Sequence, residues 1–223
     1  MGRPAAGGGT WVTVQPERLD RWLSGFAGRH GEVAWEVTAE RVTVTAADGS
    51  RAECTVPFPP LGGDATADLG GLVAHACIER TVGVLLVRLG GHAAGVFTGA
   101  RLVSSKVGTR PVHGRSAAGG TSQKRFARRR EGQAEVALGA AADVAARILL
   151  PAMADLDAVV LGGDRRAVDA VLADPRLGAL RPLVSGALLD VPDPRQRVLE
   201  STPRLFRAVR VRVVGAAGSA PPS

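Results

Sequence analysis

The apolar run TVGVLLVRL, residues 81–89, limits the possible folds more than any other part of this sequence. It is rich in β-branched residues and only nine residues long, with Arg88 inside it. A membrane helix needs roughly 18–20 apolar residues, so the run predicts a central strand covered on both faces, and we expect no membrane span. A turn at Gly90-Gly91-His92 and two further strand patterns, AAGVFTG and ARLVSSKVG, complete a predicted β-meander.

Helix and strand patterns then alternate to the end of the chain. An apolar stripe at helical spacing predicts a long helix from about Ser122 to Leu150, and Pro151 marks its end. LDAVVLGG reads as a strand, DRRAVDAVLAD as a helix, and RAVRVRVV as a last strand that alternates arginine with valine. The order βββαβα followed by αβ predicts an α+β or α/β fold, with a mixed sheet of the ribonuclease-H-like type flanked by helices.

A smaller unit precedes this domain. WVTV, a helix that opens at Pro16, and the strand patterns EVAWEVT, RVTVTA and RAECTV predict a small α+β unit. A Pro/Gly-rich linker follows it. We therefore predict disorder at 1–9, the small unit with its linker at 10–67, the larger domain at 68–214, and a disordered tail at 215–223. No secretory signal is recognisable at the N-terminus, so we expect a cytoplasmic protein.

The positive charge is confined to one segment. Residues 80–130 contain eleven Lys and Arg and no acidic residue, whereas the rest of the chain has 17 basic and 21 acidic residues. This confinement indicates one surface that faces a polyanion, with nucleic acid the first candidate. The candidate RNA-binding residues are Lys106, Arg110, Arg115, Lys124, Arg125, Arg128, Arg129 and Arg130.

Five of these cations lie in the first two turns of the predicted long helix. The helix dipole disfavours cations there by about 0.3–1 kcal/mol each, so helix stability does not explain their position. Free N–H groups at a helix N-terminus favour anions, which agrees with contacts to phosphates. A solvated charged face is the alternative for such a run.

A loop of small residues, GRSAAGGTS from Gly114 to Ser122, leads to Gln123 at the start of this helix. An amide has no useful pKa and does not act as an ordinary general base. Its carbonyl can instead hold a water molecule while backbone N–H groups face a developing oxyanion. A lone glutamine usually has no such role, so the residues alone name Gln123 only as a candidate for a catalytic side chain.

The segment RLGGHAAGVFTG through SKVGTR, HGR and AAGG to SQKRFARRRE resembles the bacterial, chiefly actinobacterial, branch of the Vms-like release-factor family. These peptidyl-tRNA hydrolases are related to the central domain of eukaryotic and archaeal termination factors. The resemblance spans roughly Thr81 to Val214 and implies a ribonuclease-H-like domain with a Gly-x-x-Gln loop. That motif corresponds here to Gly120, Thr121, Ser122 and Gln123, so Gly120 joins Gln123 as a candidate catalytic residue.

The resemblance implies hydrolysis of the peptidyl-tRNA ester during rescue of stalled ribosomes. The expected partners are the RNA of the large ribosomal subunit and peptidyl-tRNA. We expect a monomer with no metal, no small-molecule cofactor and no membrane partner. The alternative is a non-catalytic ribosome- or RNA-binding factor that uses the same basic surface.

Two other enzyme classes fit the sequence less well. A metal-dependent nuclease needs several carboxylates at strand ends, and the predicted meander has none; Asp155, Asp157 and Asp164 follow later, where they fit strand ends and a helix N-cap. A serine hydrolase lacks its Gly-x-Ser-x-Gly turn, and neighbouring Ser104 and Ser105 point to opposite faces of a strand. Cys54 and Cys77 have no metal-binding spacing, and we expect two reduced, buried thiols.

Overall fold

The computed structural model describes residues 3–5, 8–62, 69–88, 90–109 and 122–215, and for 122–131 it describes the backbone alone. The chain divides into two compact units, one of residues up to 78 together with those from 204 onward, the other of residues 79–203. The strands are β1 (Arg3–Pro4), β2 (Thr10–Val14), β3 (Val33–Val37), β4 (Arg41–Ala46), β5 (Arg51–Thr55), β6 (Thr81–Arg88), β7 (Gly91–Thr98), β8 (Arg101–Thr109), β9 (Ala158–Gly163) and β10 (Val209–Val214). The α-helices are α1 (Pro16–His30), α2 (Leu69–Cys77), α3 (Ser122–Leu149), α4 (Arg165–Leu172), α5 (Gln196–Ser201) and α6 (Pro203–Phe206), and two 3₁₀ segments span Leu150–Asp155 and Pro175–Leu183.

The first unit is a six-stranded antiparallel sheet in the order β1-β2-β10-β5-β4-β3. Alternation along the strands turns Val211, Cys54 and Val42 to one face, where they are fully buried. Helices α1 and α2 cover this face, for example through Phe26 and Leu72, which belong to the same hydrophobic core. The opposite face carries no residue of that core.

The second unit is a four-stranded sheet in the order β8-β7-β6-β9. Strands β6, β7 and β8 form the antiparallel meander, and β9 runs parallel to β6. Isolated parallel bridges from β9 to Val184 and Leu189 continue the sheet beyond β9. Strand β6 is central and buried along its length, as its apolar run predicted.

Helix α3 packs on one face of this sheet. Ala141, Ala145 and Leu149 are buried in a common core with Ala94 and Val96 of β7. Asp164 is the N-cap of helix α4, and its carboxylate accepts the N–H of Ala167 at 2.9 Å. The mixed sheet with flanking helices in one unit and the smaller α+β unit in the other confirm the predicted fold class.

The boundaries of the units differ from the prediction at three places. The arginine–valine strand β10 pairs with β2 and β5 and so belongs to the first unit. Helix α2 also belongs there, because Leu72 and Ala76 lie in the first unit's core. Within residues 1–9, predicted to be disordered, Arg3 and Pro4 pair with β2. The predicted tail lies outside the described residues from 216 onward.

One helical stretch of the described chain, Gly132–Asp155, is long and apolar enough by length and composition to cross a membrane, and 22% of its 18-residue apolar window is buried. From the sequence we expected no such stretch. This stretch packs on the second sheet through Ala141, Ala145 and Leu149. Since the core helices of globular units meet the same criteria, length and composition alone do not indicate a membrane span here.

Candidate functional site

One edge of the second sheet carries the start of the loop predicted to be functional. The register places Arg88 of β6 opposite Gly91 of β7, and Gly91 opposite Thr109 of β8. In β9, Gly163 is in register with Val87. We call this edge, formed by Arg88, Gly91, Thr109 and Gly163, the loop edge, because residues 110–121 connect Thr109 to α3.

Helix α3 extends past the loop edge. Its last residue, Leu149, lies beside Gly83 near the start of β6, at the opposite end of the sheet. Ala134 and Leu138 lie beside Arg88 and His92, where β6 ends and β7 begins. The twelve helical residues before Ala134 span about 18 Å at 1.5 Å per residue. The backbone of α3 therefore forms an arm beyond the sheet, with Gln123 its second residue.

The start of α3 agrees with the sequence prediction. The helix begins at Ser122, so Lys124, Arg125 and Arg128–Arg130 occupy its first turns, and its first turn contains no acidic residue. The side chains of these residues and of Gln123 lie outside the described part of the structure. Gly120, Arg110 and Arg115 also lie outside the described residues, so their assignments stay predictions.

Lys106 is the predicted RNA-binding residue whose side-chain environment is described. It is exposed on β8 and lies opposite Ala94 of β7. Ala94 belongs to the core against which α3 packs, so Lys106 and α3 share one face of the sheet. The structure thus places Lys106 on the α3 side of an outer strand.

A cavity of about 330 Å³ lies at the loop edge. Its polar lining comes from Arg88, His92, Asp164 and Arg166, and its apolar lining includes Ala134 and Leu138 of α3. These polar residues were not among the predicted site residues, because they come from three elements that only the fold brings together. The cavity places two arginines beside the part of α3 that crosses the loop edge.

His92 sits in the strand rather than in the predicted turn. It is 5% exposed and lies opposite Gly108 of β8. A Cβ atom on Gly108 would overlap the imidazole ring, so this glycine leaves the space that the ring occupies. His92 and Gly108 therefore form a fitted pair one residue inside the loop edge.

Two of the three aspartates considered for a nuclease, Asp157 and Asp164, have structural roles. The Asp157 carboxylate accepts the N–H of Thr81 at 2.7 Å, and Asp164 caps α4. Beside Asp157, burial lowers the pKa of Arg80, and the aspartate's negative charge partly opposes that shift. Among the described residues, no three His, Cys, Asp or Glu side chains are grouped as metal ligands.

Ser104 and Ser105 lie in β8, on opposite sides of the strand as predicted. Ser105 accepts a long hydrogen bond of 3.4 Å from the Gln196 amide, and Ser104 is exposed. The two cysteines are free, but the prediction for Cys77 is wrong, since it is exposed at the end of α2 whereas Cys54 is buried.

The sequence from β6 into β10 matches one protein-family model. The model is acVLRF1, described as the Actinobacteria/chloroflexi VLRF1 release factor, and it matches residues 80–212. That is more than half of the chain. The protein belongs to this release-factor family. The match includes β6 to β9, the whole of α3 and the loop before it, and this confirms the resemblance stated from the sequence.

Solved structures share a distant likeness. The crystal structure of the archaeal translation termination factor aRF1 is 13% identical, with a TM-score of 0.39, and the match covers 73% of this chain and 51% of that one. A chain described as an archaeal protein is 15% identical, with a TM-score of 0.38 and coverage of 73% and 50%. This chain thus matches about half the length of each. A search of curated proteins gave no match.

Proposed function

We propose that this release-factor relative is a peptidyl-tRNA hydrolase that frees nascent chains from stalled large ribosomal subunits in the cytoplasm. One observation carries the proposal: within the family match, α3 begins at Ser122 and extends past the loop edge, with Gln123 in its first turn. An arm of this kind suits a narrow, RNA-lined space. The cations along its first turns suit phosphates.

In this mechanism the arm binds RNA and the loop performs the chemistry. Lys106, Arg110, Arg115 and the cations of α3 contact the backbones of ribosomal RNA and tRNA. Gly120 has no side chain, so the backbone before Gln123 approaches the substrate closely. The amide carbonyl of Gln123 holds a water molecule against the ester carbonyl carbon, and backbone N–H groups face the oxyanion.

The bond changes are those of ester hydrolysis. Water adds to the carbonyl carbon, the C–O bond to the tRNA ribose breaks, the peptide leaves as a carboxylic acid, and the ribose oxygen receives a proton. Orientation of the reactants supplies up to about 7–11 kcal/mol of barrier reduction. The proposed reaction uses one chain and no cofactor.

Two measurements on one preparation test this function. Large ribosomal subunits that carry labelled peptidyl-tRNA are incubated with the purified protein, and released peptide and bound protein are both measured. We expect release. Binding without release would instead favour the alternative, a non-catalytic ribosome-binding factor.

Variants of the arm test its role in binding. Lys124→Ala or Arg128→Ala should weaken binding and reduce the slope of log K against log salt by about one unit for each phosphate that is no longer neutralised. Glu135→Ala, an exposed change on the same helix, is the matched control and should leave the slope unchanged. Slopes equal to wild type in both the lysine and the arginine variant would contradict RNA binding by the arm.

A further inference from the structure

Among the described residues of the first unit, no helix covers one face of the sheet. In β10, β5 and β4, the buried residues Val211, Cys54 and Val42 are in register and face α1 and α2. Their sequence neighbours point the opposite way. We call this opposite side of the six-stranded sheet the open face, and its residues are exposed or half-buried.

Arginines from four strands share the open face. The register aligns Arg3 of β1 with Trp11, Trp11 with Arg212, Arg210 with Thr13, Arg51 with Val214, and Arg41 with Thr55. The acidic residues on this face of the described strands are Glu53 and Glu36. Five arginines against two glutamates give the face a net charge of about +3. Strand spacing spreads the arginines over roughly 19 Å across the sheet.

Two of these arginines are held by their neighbours. The Arg210 guanidinium lies over the ring of Trp11, 4.7 Å from its centroid. Arg212 donates to the Gly8 carbonyl at 3.0 Å and pairs with Glu53 at 3.4 Å. The planar groups of Arg210 and Trp11 thus lie together on the exposed side of the sheet, in an arrangement that favours stacking with bases.

We propose that the open face binds a strand of RNA. Arginine forks bind phosphate oxygens in pairs, and a flat sheet face with an aromatic ring is a surface on which bases stack. Threonines on the same face, Thr13, Thr43, Thr45 and Thr55, add hydroxyl groups that hydrogen-bond phosphates and the 2′-hydroxyl. The face is polar and cationic rather than apolar, which disfavours a protein partner with an apolar interface.

This inference goes beyond the proposed release reaction. The five arginines lie outside residues 80–130, in stretches whose overall charge is not positive, and Arg3, Arg41 and Arg51 also lie outside the family match. The two proposed RNA-binding surfaces, the arm and the open face, belong to different units. An experiment can therefore refute RNA binding by one surface and leave the proposal for the other intact.

The first experiment measures binding of a labelled single-stranded RNA oligonucleotide to the full-length protein by fluorescence anisotropy, between about 50 and 200 mM salt. The triple variant Arg41→Gln, Arg51→Gln, Arg210→Gln is compared with Arg18→Gln, Arg21→Gln, Arg29→Gln. The control removes the same charge from exposed positions of α1, on the other side of the sheet. Urea unfolding checks that both variants fold.

The open-face variant should lose about 2 units of salt slope, since each phosphate bound on a single strand contributes about 0.7. Across this fourfold range of salt, the factor by which the wild type loses affinity should therefore be about 18 times the factor for the open-face variant. The control should keep the wild-type slope. Equal loss in both triples, or no loss in either, would overturn the proposal.

A second experiment leaves the arginines in place. The chain has three tryptophans, and Trp22→Phe with Trp35→Phe leaves Trp11 as the only one. Addition of RNA should quench Trp11 emission with the same midpoint as the anisotropy change, and poly-glutamate should not reproduce it. Emission that stays constant while anisotropy saturates would show that RNA binds elsewhere. Equal quenching by poly-glutamate would indicate an acidic protein partner and contradict the proposal.

Discussion

Replacement of Gly108 by alanine tests the fit between strand and ring at the loop edge. The new Cβ atom would overlap three atoms of the His92 imidazole. That ring is 5% exposed and lies on a strand paired on both sides, so it has little room to move. Overpacking of this kind costs typically about 1–3 kcal/mol.

The loss of unfolding free energy in Gly108→Ala is measured by urea unfolding. Far-UV circular dichroism detects the unfolding, since the 28-residue α3 contributes strongly to this signal. At a slope of about 2–3 kcal/mol per molar urea, the expected loss lowers the midpoint by about 0.3–1.5 M. Gly139→Ala is the matched control, because no atom lies within 4 Å of its new Cβ in α3. It should stabilise the protein by up to about 1 kcal/mol.

A double-mutant cycle identifies the cause. In a His92→Ala background the overlapping ring is absent, so Gly108→Ala should cost at least about 1 kcal/mol less than it does in the wild type. Equal costs in the two backgrounds would refute the argument. So would a Gly108→Ala variant as stable as the wild type.

Three further outcomes follow from buried and paired groups. Iodoacetamide at about pH 8 should modify Cys77 and spare Cys54, because burial raises the pKa of the Cys54 thiol to about 12; two adducts on the folded protein by mass spectrometry would contradict this. Hydrogen bonds from the His30 ring and then the Ser50 N–H lower the pKa of Asp48, so its contribution to stability is present at neutral pH and lost as pH falls. In Asp48→Asn the urea midpoint should therefore depend less on pH below about pH 5. The same pH dependence as in the wild type would count against this role. Leu149→Ala should cost about 2–5 kcal/mol in urea unfolding and exposed Val136→Ala under about 0.5, whereas similar costs would contradict the core assignment.

Local patterns predicted most of the secondary structure. The apolar run of β6, the small-residue stripe of α3 and the cap at Asp164 depend on nearby residues, which a single sequence shows directly. The family and the fold class also followed from residues 81–214. The start of α3 at Ser122, which sets the position of Gln123, agreed with the prediction.

Long-range pairing was the part that the sequence did not determine. The arginine–valine alternation in β10 identified a strand but not its sheet, since antiparallel partners can come from any part of the chain. Strands β2 and β5 are its partners, far away in sequence. For the same reason the charge count along the chain revealed the cationic segment at 80–130 and missed the open face, whose arginines are brought together by the register.

His92 illustrates the same limit on a smaller scale. Gly90-Gly91-His92 has the composition of a turn, yet Gly91 already pairs with Arg88, so His92 is inside β7 and buried under Gly108. The composition located the hairpin, and the register decided which residues belonged to its strands.

The role of Gln123 is tested most directly by the single-turnover rate of peptide release from large ribosomal subunits carrying peptidyl-tRNA. The wild type and Gln123→Ala are compared at protein concentrations that saturate binding, with bound protein measured in the same samples. The loss of one group that positions a reactant or stabilises an oxyanion typically slows catalysis by about 10²–10³. We expect a loss of that size with unchanged binding. Release by Gln123→Ala at the wild-type rate would contradict hydrolysis by this loop.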